Sequence, residues 1–211
     1  MPEASMLTVG VDAGDVERRL AAGGFACPGC AAVLAPWGHG RVRWLRGPGG
    51  ARVRVRPRRS RCIGCLVTHV LLPVVALLRR ADLAVLIGAA LAAKAAGWGH
   101  RRIAESLGRP AATVRGWLRV FCSRAEPVRA VFTGLQVALD PDPPAVEPAA
   151  CLVGDAVAAV LAAAVAVARR WPAVGALSPW ETAVAVTGSR LLAPGFAPWR
   201  ANTSCLWAAV G

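Results

Sequence analysis

Residues 27–65 read CPGCAAVLAPWGHGRVRWLRGPGGARVRVRPRRSRCIGC, with a CxxC pair at each end. Two residues separate the cysteines of each pair, so that one tight turn aims both thiolates at the same ion. Glycine at the third position of both pairs gives the backbone the freedom that this turn needs. We expect Cys27, Cys30, Cys62 and Cys65 to bind one zinc ion. This zinc is expected to be structural, because four thiolates leave no position open for a substrate.

Basic and apolar residues alternate between the two pairs. The alternation runs through residues 41–46 (RVRWLR) and 51–56 (ARVRVR), and a period of two is typical of half-buried strands. The segment 47–50 (GPGG) between them has the composition of a turn. The pattern predicts a CxxC turn, an antiparallel hairpin and a second CxxC turn, which is the plan of a zinc ribbon. Since so small a unit has little core, zinc would supply about 10 kcal/mol of its apparent folding free energy.

Other arrangements of the cysteines stay open at this point. The four residues could be reduced core cysteines or a redox-active pair, and His69 or His39 could replace one thiolate. The amino-terminal residues carry no secretory signal, which indicates a reducing compartment, and seven cysteines are an odd number for a disulfide scaffold. The isolated Cys122, Cys151 and Cys205 are expected to be small buried side chains.

The net charge of +13 is concentrated in one part of the chain. Residues 1–17 have a net charge of −4, residues 18–129 of +18 and residues 130–211 of −1. A segment this rich in arginine indicates a polyanionic partner or a solvated surface. The basic residues of the ribbon are predicted to form a ridge that contacts phosphates, and a solvated basic face is the alternative. This ridge comprises the alternating arginines of the hairpin and the run at residues 56–61 (RPRRSR). Its predicted DNA-contacting members are Arg54, Arg56, Arg58, Arg59 and Arg61.

A helix-turn-helix is predicted downstream, after an amphipathic helix that ends near Gly97. Two short helical segments, residues 100–107 (HRRIAESL) and 111–121 (AATVRGWLRVF), flank a turn at residues 108–110 (GRP). Arg109 departs from the usual pattern, in which an aliphatic residue follows the turn glycine. An ordinary helical hairpin is the alternative. The core positions of the motif are filled by Ile103, Ala104, Leu107, Val114 and Trp117.

The second of these two helices is the predicted recognition helix. Small residues at its start allow close approach to the major groove, and arginine can make bidentate contacts to guanine or bind phosphate. The first helix is expected to contact the DNA backbone. The predicted DNA-contacting residues of this unit are Arg101, Arg102, Arg109, Thr113, Arg115 and Arg119.

Residues 25–125 resemble bacterial zinc-ribbon plus helix-turn-helix proteins of mobile elements, which are similar to the DNA-recognition parts of insertion-sequence transposases. The resemblance implies DNA binding at a mobile element or a regulatory site, and it implies no particular reaction. It is carried by Cys27-Pro-x-Cys30, by Arg61-Cys62-x-x-Cys65 with THVLLP at 68–73, and by GHRRIA at 99–104 and TVRGWLR at 113–119.

The C-terminal part is predicted to be helical. A Pro-rich acidic linker at residues 140–148 (DPDPPAVEP) precedes an Ala- and Val-rich helix from about residue 150 to 170. Residues 178–181 (SPWE) form a capping box that begins a further helix. Residues 151–168 raise the alternative of a membrane segment, although Asp155 and the alanine content favour a buried helix.

The predicted fold is therefore mainly α with a small β zinc ribbon. It comprises an N-terminal arm (1–20), the zinc ribbon (21–75), a helix-turn-helix domain (76–133), a Pro-rich linker (134–149) and a helical C-terminal region (150–211). The sequence contains no Walker A, HExxH or nucleophile-elbow motif, and its C-terminal acids are unsuited to a two-metal site. We therefore expect a protein without enzymatic activity.

These features predict a cytoplasmic, nucleoid-associated protein that binds double-stranded DNA sequence-specifically, in transposition or as a transcriptional regulator. A transposase or a second copy of the chain is an expected protein partner, and no small-molecule substrate is expected. Two alternatives remain. One is the DNA-recognition subunit of a split transposase that acts with a catalytic partner, and the other is a membrane-attached regulator anchored by residues 151–168.

Overall fold

The computed structural model describes residues 5–140, 142–143, 147–172, 177–194 and 196. Within these residues are seven α-helices, a four-stranded mixed sheet and a separate two-stranded hairpin. In chain order the elements are β1 (Ser5–Val9), α1 (Ala13–Ala21), β2 (Leu34–His39), β3 (Arg43–Arg46), β4 (Arg52–Val55), β5 (Arg58–Cys62), β6 (Thr68–Pro73), α2 (Ala84–Ala95), α3 (His100–Ser106), α4 (Ala111–Cys122), α5 (Ala125–Leu139), α6 (Leu152–Arg170) and α7 (Pro179–Val186).

The mixed sheet has the strand order β1-β6-β5-β2. β1 runs parallel to β6, and the other neighbouring strands are antiparallel. Val16 and Leu20 of α1 are buried in the core of this sheet, since the apolar residues of a short amphipathic helix need a partner surface. Cys27 and Cys62 belong to the same core. This core therefore fixes the position of one cysteine of each CxxC turn.

The predicted hairpin is confirmed. β3 and β4 pair antiparallel, with Leu45 opposite Val53, and a 3₁₀ turn at Pro48–Gly50 joins them. Gly49 and Gly50 have φ values of 62° and 79°, which few other residues adopt without strain. The buried face of the hairpin packs on the loop before α2, in a cluster that contains Leu45, Val55, Leu72, Ala76 and Leu83.

A second antiparallel pair of strands, separate from the hairpin, adjoins the two CxxC turns. β2 and β5 are antiparallel, and Leu34 at the start of β2 lies opposite Cys62 at the end of β5. The sequence predicts no strand at either place, because Pro36 and Gly38 interrupt the first segment and RRSRC has no alternation of polar and apolar residues. The β part of the protein is thus larger than the predicted ribbon.

The helices α2 to α7 surround a single hydrophobic core. Trp117, Phe121 and Phe132 are its largest fully buried side chains. The predicted helix between residues 150 and 170 is observed as α6, and it packs against α2, α5 and α7. The predicted capping box also exists, because Ser178 Oγ accepts from Glu181 N at 3.3 Å and Glu181 Oε2 accepts from Ser178 N at 2.8 Å.

The structure divides the chain differently from the predicted parts. Residues 1–20 are predicted as an N-terminal arm, but they contain β1, which is a strand of the mixed sheet, and most of α1, which packs against that sheet. The predicted linker at 134–149 begins inside α5, because the buried face of that helix continues to Gln136, and the helices on both sides share one core. Residues 141 and 144–146 of the predicted linker lie outside the described residues. The same holds for 173–176, 195 and 197–211 of the C-terminal region, which include Cys205.

Among the described residues, α6 is the helix that is long and apolar enough to cross a membrane, judged by length and composition alone. Its most apolar 18-residue window has a mean hydropathy of 1.9. Half of that window is buried inside the structure, where Val160 and Ala163 are fully covered. Such burial is what a core helix shows, and it agrees with the preference for a buried helix.

The packing of α2 on α7 leaves no room for a side chain at Gly88. A Cβ atom there would overlap the indole ring of the buried Trp180. We expect Gly88→Ala to lower the free energy of unfolding by about 1–3 kcal/mol, because overpacking displaces core side chains. Gly134→Ala in α5 is the matched control, since its Cβ would meet nothing within 4 Å and alanine should stabilise the helix by about 0.5–1 kcal/mol. Urea unfolding measures both, and an unchanged stability of Gly88→Ala would contradict this packing.

Candidate metal centre and nucleic-acid interface

The four predicted cysteine ligands come together in the structure. The Sγ atoms of Cys27, Cys30, Cys62 and Cys65 all lie within 4.8 Å of one another. Cys27 and Cys65 are separated by 3.7 Å, and Cys30 and Cys62 by 3.3 Å, measured between sulfurs. Four sulfurs that surround a zinc ion at a Zn–S distance of about 2.3 Å are about 3.8 Å apart. The cluster therefore has the size that one tetrahedral metal ion requires.

Backbone N–H groups of the CxxC turns point at the sulfurs. Gly29 N donates to Cys27 Sγ at 3.4 Å, and Gly64 N donates to Cys62 Sγ at 3.3 Å. The N–H of Cys65 is the strongest influence that lowers the pKa of Cys62, to about 6. The N–H of Val67 acts to lower the pKa of Cys65 as well, but the neighbouring thiols and burial raise that pKa to about 12. A divalent cation bound by these sulfurs would replace the thiol protons.

His69 lies beside the cluster and contacts one of its sulfurs. Its Nε2 is 3.5 Å from Cys27 Sγ, and its side chain is buried, which lowers the pKa of the imidazole. His39 lies elsewhere, with Nε2 at 3.8 Å from Glu17 Oε1. Among the described residues the metal-ligating group consists of the four cysteines alone. The geometry supports four thiolate ligands with His69 as a neighbour that orients Cys27.

The expectation for the isolated cysteines is wrong at two positions. Cys122 and Cys151 are both exposed, whereas small buried side chains were expected there. Cys122 is the last residue of α4, and Cys151 directly precedes α6. Cys205 lies outside the described residues.

The predicted helices of the DNA-binding unit are observed as α3 and α4. The turn between them contains Gly108 with a φ of 59°, the left-handed conformation expected of that glycine. Pro110 is the N-cap of α4. Of the predicted core positions, Leu107 is half-buried and the others, Ile103, Ala104, Val114 and Trp117, are buried.

The opposite side of α3 and α4 is exposed and basic. Arg101 and Arg102 on α3 and Arg115 and Arg119 on α4 are all exposed, and Thr113 is half-buried. The guanidinium of Arg102 lies 3.9 Å from the centre of the Trp98 ring, so that this side chain already has one contact. Arg115 and Arg119 are four residues apart and therefore project from the same face of the helix.

Arg109 differs from the other predicted DNA-contacting residues. Its Nε lies 2.9 Å from Asp82 Oδ1, and the side chains of Arg109 and Asp82 are 13% and 5% exposed. This ion pair explains why the turn carries arginine where an aliphatic residue is usual, and it engages Arg109 within the protein. Sequence reasoning missed Asp82, although it is one of only three acidic residues between residues 18 and 129.

The predicted basic ridge divides into free and engaged side chains. Arg54 and Arg56 are exposed, and Arg59 is half-buried. Arg58 pairs with Glu17 at 2.6 Å and donates to the carbonyl of Gly38. Arg61 donates to the carbonyl of Leu66 at 3.2 Å and lies over Trp37. Arg58 therefore connects β5 to α1 and to the end of β2, and Arg61 is engaged beside Cys62.

Comparison with protein-family models, with curated proteins and with solved structures returned no match to this chain. The resemblance to zinc-ribbon plus helix-turn-helix proteins consequently rests on the quoted motifs and stays a prediction.

Proposed function

We propose that the protein binds double-stranded DNA sequence-specifically, with α3 and α4 as a helix-turn-helix and a zinc ribbon as its structural support. The observation that carries this proposal is the exposed face of α4. Arg115 and Arg119 project from it, Ala111 and Ala112 leave its first turn unobstructed, and the helix contains no acidic residue. A helix with these properties fits the major groove, where arginine reads guanine.

The four-cysteine cluster supports a zinc ion as the cofactor. Thiolate ligands select soft or borderline metals, and two CxxC turns with four sulfurs are typical of structural zinc. The ion would hold β2 and β5 together, because each of these strands adjoins one CxxC turn. A closed set of four thiolates gives the metal a role in folding and leaves the chemistry of DNA binding to the arginines.

The position of the β3–β4 hairpin supports the view that its arginines and those of α3 and α4 contact one DNA molecule. Leu83 N donates to Arg46 O at 2.8 Å, and Arg46 N donates to Ala81 O at 3.0 Å. These two hydrogen bonds attach β3 to the chain on either side of Asp82, whose carboxylate pairs with Arg109 in the α3–α4 turn. The hairpin is therefore held close to the turn that positions α4.

The proposal predicts different effects for arginines on and off α4. We expect Arg115→Ala or Arg119→Ala to weaken binding to the preferred duplex by about 1–3 kcal/mol and to relax the preference at one base pair. Arg129→Ala is the matched control, because Arg129 lies on α5 and pairs with Glu126 at 2.6 Å. Fluorescence anisotropy against wild-type and single-base-changed duplexes measures the affinities.

Salt provides a second measurement in the same assay. The logarithm of the binding constant should fall with the logarithm of salt concentration by roughly 0.9 per phosphate contact. A flat salt response, or the same loss of affinity for Arg129→Ala as for the two α4 variants, would contradict the proposal. The expected behaviour is common to a regulator and to a transposition protein, since both recognise a DNA site in the cytoplasm.

A further inference from the structure

The outer face of the hairpin carries an aromatic side chain that the proposed function does not use. In an antiparallel pair, residues directly opposite each other project from the same face. Trp44 lies opposite Arg54, and Arg46 lies opposite Arg52, so these four side chains share one face. All four are exposed, whereas Leu45 and Val55, which alternate with them, are buried beneath the hairpin.

The charge of this face is unbalanced. Among the described residues, no ion pair includes an arginine of β3 or β4. Arg46 and Arg52 stand directly opposite each other, and like charges in that position destabilise a strand pair. An anion between them would remove this repulsion, which makes the face complementary to phosphates.

Trp44 adds an aromatic surface at the centre of these charges. Its side chain is 53% exposed, and the guanidinium of Arg52 lies 6.0 Å from the centre of its ring. The face of the hairpin that packs on the protein is formed by Leu45 and Val55, so about half of Trp44 is left open to a ligand. An aromatic ring surrounded by cations is the arrangement by which proteins bind single-stranded nucleic acids, whose bases stack while their phosphates meet arginine.

We propose that the outer face of the hairpin binds single-stranded nucleic acid, with an unpaired base stacked on Trp44 and the flanking phosphates held by Arg46, Arg52 and Arg54. Duplex DNA would use the three arginines but not the ring, because both faces of a paired base are already covered by its neighbours. The aromatic ring is therefore the feature that selects an unpaired strand. This site goes beyond the proposed function, which assigns duplex recognition to α4.

The test compares two exposed tryptophans in the full-length, zinc-loaded protein. The probe is a fluorescent oligothymidylate of about 16 nucleotides, the upper end of common site sizes, with a duplex of the same length alongside. Trp44→Ala should weaken binding to the single strand by about 5-fold or more and change duplex affinity by less than about 2-fold, while Trp44→Phe retains most of the single-strand affinity. Trp37→Ala is the matched control, because Trp37 is 51% exposed and also lies beneath an arginine, and it should change neither affinity.

Two results with the variants would overturn this proposal. One is an equal loss of single-strand binding in Trp44→Ala and Trp37→Ala, and the other is an equal loss of duplex and single-strand binding in Trp44→Ala. The result also separates the two proposals. If the protein selects among duplexes but does not bind the single strand, the hairpin proposal is wrong and the α4 proposal stands. If it binds the single strand but does not select among duplexes, the α4 proposal is wrong and the hairpin proposal stands.

Discussion

Cys30→Ser is expected to abolish metal binding and to unfold the sheet around the CxxC turns, whereas Cys122→Ser leaves metal content and stability unchanged. Both cysteines are exposed, so neither substitution removes a buried side chain. Cys30 belongs to the four-sulfur cluster, and Cys122 ends α4. Since structural zinc contributes roughly 10 kcal/mol of apparent folding free energy in small zinc domains, loss of one thiolate should remove a large part of it.

Metal analysis and amide hydrogen exchange test this prediction directly. Wild-type protein should contain one zinc per chain, and the amides of β5 should lose protection in Cys30→Ser and after chelation. Acidification should have the same effect, because protons compete with the metal for the thiolates and metal binding weakens as the pH falls. One zinc per chain in Cys30→Ser, or the same loss in Cys122→Ser, would contradict the assignment of the ligands.

Asp82→Asn should destabilise the helical unit by about 3–5 kcal/mol, because it leaves the guanidinium of Arg109 without its partner in a nearly buried place. The double variant Asp82→Asn with Arg109→Met should cost less than the two single changes added together, since no unpaired charge is left. Asp15→Asn is the matched control, because Asp15 pairs with Arg18 at 3.4 Å on an exposed helix surface, where ion pairs contribute little.

Urea unfolding of the wild type, of Asp82→Asn, of Arg109→Met and of the double variant measures the coupling between Asp82 and Arg109. DNA affinity should fall in Asp82→Asn as well, because the ion pair holds the α3–α4 turn beside the hairpin. If the losses of unfolding free energy were additive in the double variant, or if Asp15→Asn had an equal effect, the ion pair would not stabilise this turn.

Local patterns predicted the parts of the structure that depend on neighbouring residues. The CxxC spacing predicted the cysteine cluster, and alternation predicted the hairpin with its glycine turn. The small, apolar and glycine positions predicted the starts of α3 and α4, and their ends to within one residue. In each case the determining residues lie within a few positions of one another, or they repeat with a period that a strand or a helix imposes.

Contacts between distant residues were not predictable in the same way. β1 pairs with β6, more than sixty positions away, and Thr8 Oγ1 lies 2.9 Å from Ser189 Oγ across 181 residues. Neither contact leaves a periodic pattern in the sequence. The ion pair of Asp82 with Arg109 joins two residues that each look unfavourable alone, an acid in a basic segment and an arginine at an aliphatic position. The Pro-rich linker was misleading because α5 and α6 on either side of it pack on each other.

Selection from a random pool of duplex DNA, performed with the full-length protein and with zinc measured on the same sample, tests sequence-specific DNA binding most directly. We predict that one recurring sequence is enriched by protein that contains one zinc per chain. The Arg115→Ala and Arg119→Ala variants should lose the preference at individual base pairs of that sequence. Recovery of no common sequence by zinc-loaded wild-type protein would contradict the account.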